Sequence, residues 1–224
     1  MEAMETEKRT ILCYGDSNTW GYVPGAEKRR FPQYVRWPGV LFKLLRTGFR
    51  VLEEGLCART TVLDDPIESA FGVERNGAKL IGSVLASQAP IDLVIIMLGT
   101  NDLKRRFSMT AADIAAGVGF LAQRARSSEF GPGFIAPPEV LVVCPPAIWE
   151  VEANFGPAFK GGREKSLEFS TVFNRMGKEL GFPILFAEDF VHSDPADGIH
   201  LSAESHEALG QELARWVLDR YGAS

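Results

Sequence analysis

The sequence predicts an α/β fold of three layers, a five-stranded parallel sheet with helices on both faces. Three observations predict it. Short apolar runs alternate with stretches of helical period, the pattern of successive βαβ units. The clearest run, Leu93 to Leu98 behind Asp92, is apolar throughout rather than alternating, so both of its faces are covered. The runs at 10–14 and 92–98 end in polar, glycine-containing turns, Gly15-Asp16-Ser17 and Gly99-Thr100-Asn101-Asp102. Ligands of open α/β sheets bind at that carboxyl edge.

Taken in order, residues 1–9 read as a flexible N-terminus and residues 10–224 as one domain, because 224 residues suit a single sizeable core and are short for two. Thr10 to Tyr14 is the first strand. Trp20 to Arg36 is a long irregular stretch holding Pro24, Gly25, Lys28-Arg29-Arg30 and Pro32, and a loop of that length in a compact domain is functional or covered by a partner. Its three basic residues read as a solvated face or a subunit contact. Trp37, Val40, Leu41, Leu44 and Leu45 form one helical stripe with Pro38 in its first turn. Phe49 to Glu53 is the second strand, and Gly55 to Thr61 a loop of small residues.

Leu80, Ile81, Val84 and Leu85 mark the next helix, and Asp92 to Leu98 the third strand. Ile114, Val118, Leu121, Ala122 and Ala125 share a helix face that Thr110 caps, with Asp113 at its third position. Glu139 to Cys144 is the fourth strand, and Pro145 to Gly162 an irregular aromatic segment. Phe169, Phe173, Met176 and Leu180 stripe a helix closed by Gly181; Pro183 to Ala187 is the fifth strand; a last helix begins near Ser202 with Leu209, Leu213, Trp216 and Val217 on its apolar face. The common five-stranded order, 2-1-3-4-5, brings the turns after strands one and three into one crevice, and these carry Ser17 and Asn101.

Composition narrows the function. A net charge of -5 disfavours nucleic acid as a partner, since phosphate binding needs a basic surface. No apolar run approaches the about 18 residues of a membrane span, and the acidic first nine residues contain no signal-peptide core, so a cytoplasmic location is expected. Three cysteines make no disulfide framework; Cys13 and Cys144 lie in apolar runs as core residues.

Gly15-Asp16-Ser17 read alone is also an ordinary polar turn. A serine hydroxyl becomes a nucleophile only when a base takes its proton, and the base is usually a histidine held in one tautomer. Of the three histidines, His206 shares a helix face with Leu209 and Leu213, and His192 lacks an acid three residues before it. His200 has Asp197 at that spacing, across a Gly-Ile turn, so a carboxylate can reach Nδ1 and leave Nε2 for a serine. The same spacing suits a turn in which Asp197 caps backbone amides. A metal site lacks third and fourth ligands at recognisable spacing. An oxyanion hole is available from the Asn101 side chain, the Ser17 N–H and the loop after strand two, where a small residue such as Ala58 admits close approach.

The blocks Gly15-Asp16-Ser17, a small residue at 58, Gly99-Thr100-Asn101-Asp102 and Asp197-Gly198-Ile199-His200, in this order from 15 to 200, resemble the GDSL-type SGNH hydrolase superfamily. The resemblance implies a flavodoxin-like three-layer α/β/α fold. It implies Ser17 as nucleophile, His200 as base, Asp197 as its orienting acid, and Asn101 with the N–H groups of Ser17 and Ala58 as oxyanion hole. Asp16 and Asp102 are expected to be structural. Two positions depart from the pattern: Asn18 stands where leucine usually follows the serine, and Ala58 where glycine is usual.

Residues 15–22, 53–61 and 64–66 look like the bacterial arylesterase and acyltransferase (perhydrolase) subgroup. That resemblance implies short acyl-ester substrates, transfer of the acyl group to alcohols or peroxide, and a homo-oligomer whose neighbouring subunits narrow the site. Trp20, Cys57 and Trp149 are the expected pocket residues. The chemistry needs no metal or organic cofactor, and no nucleic-acid or membrane partner is expected. Rival readings are a carbohydrate acetyl-esterase, an enzyme chiefly transferring acyl groups, and a non-catalytic binding domain.

Overall fold

A computed structural model describes residues 8–68, 72–149 and 155–222. Five strands, β1 (Arg9–Gly15), β2 (Phe49–Gly55), β3 (Leu93–Met97), β4 (Glu139–Cys144) and β5 (Ile184–Phe186), form one parallel sheet in the order β2-β1-β3-β4-β5. This is the expected switch-point topology. Gly15 lies in register with Gly55 on one side and Met97 on the other, so three strands finish level and their following turns share one rim.

Alternation along the strands divides the core in two. Leu12, Tyr14, Val94, Ile96, Val140 and Val142 point to one face, under α3 (Gly77–Gln88), α4 (Ala111–Arg126) and α7 (Phe169–Leu180). Ile11, Cys13, Leu93, Ile95, Leu141 and Val143 point to the other, under α2 (Trp37–Leu45) and α8 (Ala203–Tyr221). Each fully buried side chain of this kind contributes roughly 1.5–3 kcal/mol relative to exposure. Trp37, completely buried between α2, α8 and the sheet, is the largest. Among the described residues no helix is long and apolar enough to cross a membrane.

Local chemistry sets the helix ends. Thr110 and Asp113 make the anticipated capping box, Ser202 accepts from the Ser205 N–H at 3.1 Å, and Gly181 closes α7 in the left-handed region. α3 begins three residues before its apolar stripe because Asn76 caps it, accepting from Ala78 N–H at 3.0 Å.

The irregular segments contain short elements of their own. A one-turn helix, α1 (Ser17–Trp20), starts on Ser17 itself. Residues 20–36 then fold back through a Tyr22–Arg30 bridge. The aromatic segment at 145–162 holds α5 (Gly156–Phe159) and the first residue of α6 (Gly162–Ser166), while 150–154 lie outside the described residues. The flexible N-terminus expected at 1–9 falls mostly outside them as well; Arg9 already opens β1.

Two glycines let α1 sit on the rim. A Cβ at Gly15 would lie 2.0 Å from Thr19 Oγ1 and 2.8 Å from the Met97 carbonyl, and one at Gly55 would lie 2.2 Å from the Trp20 nitrogen. Any side chain at either position displaces the helix that carries Ser17.

Candidate active site

The turn after β1 is fixed by Asp16, which caps α1 by accepting the Asn18 N–H at 2.9 Å. Ser17 is thereby held at the carboxyl end of β1, close to a loop 183 residues away in sequence. Its Oγ is 2.9 Å from His200 Nε2, and His200 Nδ1 is 2.7 Å from Asp197 Oδ2. All three residues are buried.

The two readings of the Asp-x-x-His turn turn out to be compatible. Asp197 Oδ1 caps the turn, accepting the N–H groups of Ile199 at 3.0 Å and His200 at 2.9 Å, while Oδ2 faces the imidazole and also accepts the Gly25 N–H at 3.2 Å. Burial alone would raise this carboxyl. The hydrogen bond and charge of His200, with the two turn amides, outweigh it and hold the group down at about 2. The geometry therefore keeps a carboxylate on Nδ1, which leaves Nε2 as acceptor for the Ser17 hydroxyl.

Asn101 is buried in the turn that follows β3, its Nδ2 3.5 Å from Asp16 Oδ2. Among the described residues the N–H groups of Ser17 and Ala58 have no acceptor. Ala58 adopts φ 63°, the left-handed region, which accounts for a glycine in the usual pattern. Arg59 holds that loop in place. Its guanidinium donates to the Gly15 carbonyl at 2.8 Å and to the Glu54 carbonyl, and lies 4.0 Å from the centre of the Tyr14 ring.

Asp16 and Asp102 occupy the structural places expected of them. Asp102 is fully buried and accepts the Thr61 N–H at 3.0 Å and its hydroxyl at 2.5 Å; burial raises its carboxyl to about 7. Burial likewise raises Asp16 to about 6, against the Asn18 N–H and the charges of His200 and Arg59.

Of the expected pocket residues, Trp20 ends α1 beneath the Arg30 guanidinium, which lies 4.9 Å from its ring centre, and packs against Tyr22. Trp149 donates its backbone N–H to Gly198 at 2.8 Å and leaves its ring half-exposed by Arg163. Cys57 adjoins Ala58; burial, then the Asp16 charge, lifts its thiol to about 11, so it stays protonated. Of the basic run, Lys28 and Arg29 are solvent-facing and Arg30 is drawn onto Trp20.

Three residues in contact with the His200 loop were given no role there from sequence. Tyr22 stacks on the His200 ring with centroids 4.3 Å apart and an interplanar angle of 24°, and Phe155 meets that ring edge-on at 5.9 Å. The two aromatics line a cleft of about 600 Å³ that continues past Asp197. Asn18 donates from Nδ2 to the Ile199 carbonyl at 3.2 Å and accepts the Leu201 N–H at 3.0 Å. The departure from leucine at this position is visible in the sequence, but these partners are not.

The other histidines lie elsewhere. His192 is exposed. His206 is fully buried under α2, accepts the Trp37 N–H at 3.3 Å through Nδ1, and is pushed down to about 3 by burial. Among the described residues no group of three His, Cys, Asp or Glu side chains is arranged to hold a metal ion.

With this geometry in view, the chain can be set beside known proteins. A sequence model of the GDSL-like lipase/acylhydrolase family matches residues 13–208. No curated protein matches. A carbohydrate acetylesterase from Sinorhizobium meliloti superposes with a TM-score of 0.89 at 41% identity, covering 96% of this chain and 100% of its own. The aryl esterase of M. smegmatis superposes with a TM-score of 0.88 at 42% identity, covering 94% and 99%. A lipase/acylhydrolase from Enterococcus faecalis shares the fold at a TM-score of 0.64 and 20% identity, over 96% and 98%.

Proposed function

The chain belongs to the GDSL-like lipase/acylhydrolase family and is a carboxylic ester hydrolase, and from that premise we propose that it cleaves short-chain acyl esters through a serine nucleophile and an acyl-enzyme. The observation that carries the reading is the line from Ser17 Oγ through His200 to Asp197, at 2.9 and 2.7 Å.

Ser17 Oγ attacks the ester carbonyl carbon while its proton passes to His200 Nε2. The carbonyl electron pair moves onto oxygen, where the Ser17 and Ala58 N–H groups and the Asn101 amide stabilise it; loss of one such donor typically costs on the order of 100- to 1000-fold. The C–O bond to the alcohol then breaks, and the alcohol leaves with the proton from His200. Asp197 balances the imidazolium throughout. Water, deprotonated by His200, attacks the acyl-enzyme, and Ser17 recovers its proton as the carboxylic acid departs.

Tyr22 and Phe155 crowd the base, which favours acetyl over long acyl groups. Their apolar rings also disfavour water relative to an alcohol as the second nucleophile, so acyl transfer to alcohols or peroxide is a second activity in this reading. The neighbours are named an aryl esterase and a carbohydrate acetylesterase, so aryl esters and acetylated sugars are the substrate classes this reading points to. A homo-oligomer belongs to the same reading, and light scattering that returns a monomer would remove that part.

The test is a p-nitrophenyl ester series of increasing chain length on the wild type and Ser17→Ala. The wild type should prefer acetate and the variant be inactive; near-normal turnover by Ser17→Ala would reject the proposal.

A further inference from the structure

We propose that Asn18 is a positioning residue that holds His200 at its working distance from Ser17 by clamping the backbone on both sides of the histidine. The inference rests on the reading of His200 as the base.

Its side-chain amide bonds the peptide groups immediately before and after His200: Nδ2 donates to the Ile199 carbonyl at 3.2 Å, and Oδ1 accepts the Leu201 N–H at 3.0 Å. One partner can only accept and the other only donate, so the amide has a single satisfactory orientation. Asn18 is 2% exposed, and water does not replace these bonds. Its own N–H is fixed on Asp16 Oδ1 at 2.9 Å.

Several other bonds around the histidine are local. Asp194 N–H donates to the His200 carbonyl at 2.7 Å, Gly198 N–H to the Asp194 carbonyl at 2.8 Å, and the Ser193 hydroxyl approaches the Ile199 carbonyl at 3.4 Å. These shape the loop without fixing where it stands relative to the nucleophile, and two bonds of longer span, Gly25 N–H to Asp197 Oδ2 at 3.2 Å and Trp149 N–H to the Gly198 carbonyl at 2.8 Å, do not engage the two peptide groups that flank His200. The Asn18 bonds span 181 and 183 residues and reach the loop from the residue next to Ser17. Nucleophile and clamp therefore ride on the same turn of α1, and the base follows both. A leucine fills similar space but neither donates nor accepts, leaving the Leu201 N–H without this acceptor and the Ile199 carbonyl with only the longer bond.

The experiment compares the full chain with Asn18→Leu, Asn18→Asp and Ser17→Ala, using p-nitrophenyl acetate across the histidine titration range and thermal unfolding. Misplacing a reacting group by about 1 Å costs on the order of 100-fold, so Asn18→Leu should lose about 10- to 100-fold in kcat with KM within about twofold. Asn18→Asp keeps an acceptor for Leu201 and sets a negative charge beside His200, so the acid limb of its kcat/KM profile should move to higher pH.

Asn18→Leu with wild-type kcat, or a loss confined to KM, would overturn the inference, as would an unmoved acid limb in Asn18→Asp. If Asn18→Leu does not fold, the Asn18→Asp profile decides alone. An active Ser17→Ala overturns the nucleophile reading itself, whereas an inactive Ser17→Ala beside a fully active Asn18→Leu overturns only the role of Asn18.

Discussion

Replacing Asp16 by asparagine should stabilise the fold and slow the enzyme at once. Asp16 is 1% exposed, and burial lifts its carboxyl from 3.8 to about 6. The unfolded chain releases this proton near pH 4 and the folded chain only near pH 6. Between those values the folded state binds more protons, so stability falls as pH rises through the window and stays lowered above it. The displacement from 3.8 to about 6 corresponds to a ceiling of about 3 kcal/mol. Asparagine has no proton to release. The advantage of Asp16→Asn should therefore be flat below about pH 4, grow toward pH 6, and level off at about 1–3 kcal/mol, or a few degrees in Tm.

Catalysis moves the other way. Asparagine keeps one oxygen for the Asn18 N–H and turns its NH₂ toward Asn101 Nδ2, now 3.5 Å from a carboxylate oxygen. Two donors then oppose each other and Asn101 rotates, which costs up to the value of one oxyanion donor, about 100-fold or more in kcat. Thermal unfolding from pH 3 to 8, with p-nitrophenyl acetate turnover on the same preparations, reads both effects. A Tm difference that does not change between pH 4 and 7 would refute the buried-carboxylate reasoning. Unaltered kcat would refute the link from Asp16 to Asn101.

Other substitutions separate the remaining roles. Asp197→Asn can still cap the Ile199 and His200 amides but puts an NH₂ on Nδ1, forcing the wrong tautomer; kcat should fall about ten-thousandfold, and Tm should fall too because a carboxylate held at about 2 is lost and the Gly25 N–H loses its acceptor, while a kcat loss under tenfold would contradict the orienting role. Ala58→Gly relieves the positive φ at that site, so urea unfolding should show up to about 1 kcal/mol of gain with activity retained, and clear destabilisation would count against it. His206→Ala should lose about 2–4 kcal/mol to a cavity while the folded fraction keeps its kcat, and His192→Ala should change neither quantity. Because burial holds His206 at about 3 against an ordinary 6.5, the stability tied to it is complete above about pH 6.5 and lost as pH falls toward 3. A His206→Ala variant whose stability deficit does not shrink on acidification would exclude that contribution.

The architecture was legible because every strand but β2 announces itself over four or more apolar residues and each long helix through a stripe. Order within the sheet followed from the common switch point, and that placed Ser17 and Asn101 at one rim before any contact was known. The short elements were not legible. α1 is four residues long, too short for a period to show, and it begins on the candidate nucleophile. α3 was read from its stripe at Leu80, so the Asn76 cap that starts it at Gly77 was missed. Residues around the histidine escaped for another reason: Tyr22, Phe155 and Asn18 reach His200 or its loop from distant segments, and no local pattern encodes such a meeting. The departure at Asn18 was visible, but its partners were not.

The central claim is that Ser17 is the nucleophile, and covalent labelling with a fluorophosphonate tests it most directly. Intact-mass and peptide analysis of the labelled wild type should find one adduct, on Ser17, with esterase activity lost in proportion and no adduct on Ser17→Ala. An unlabelled wild type that still hydrolyses p-nitrophenyl acetate, or an inactivating adduct on any other residue, would contradict the account.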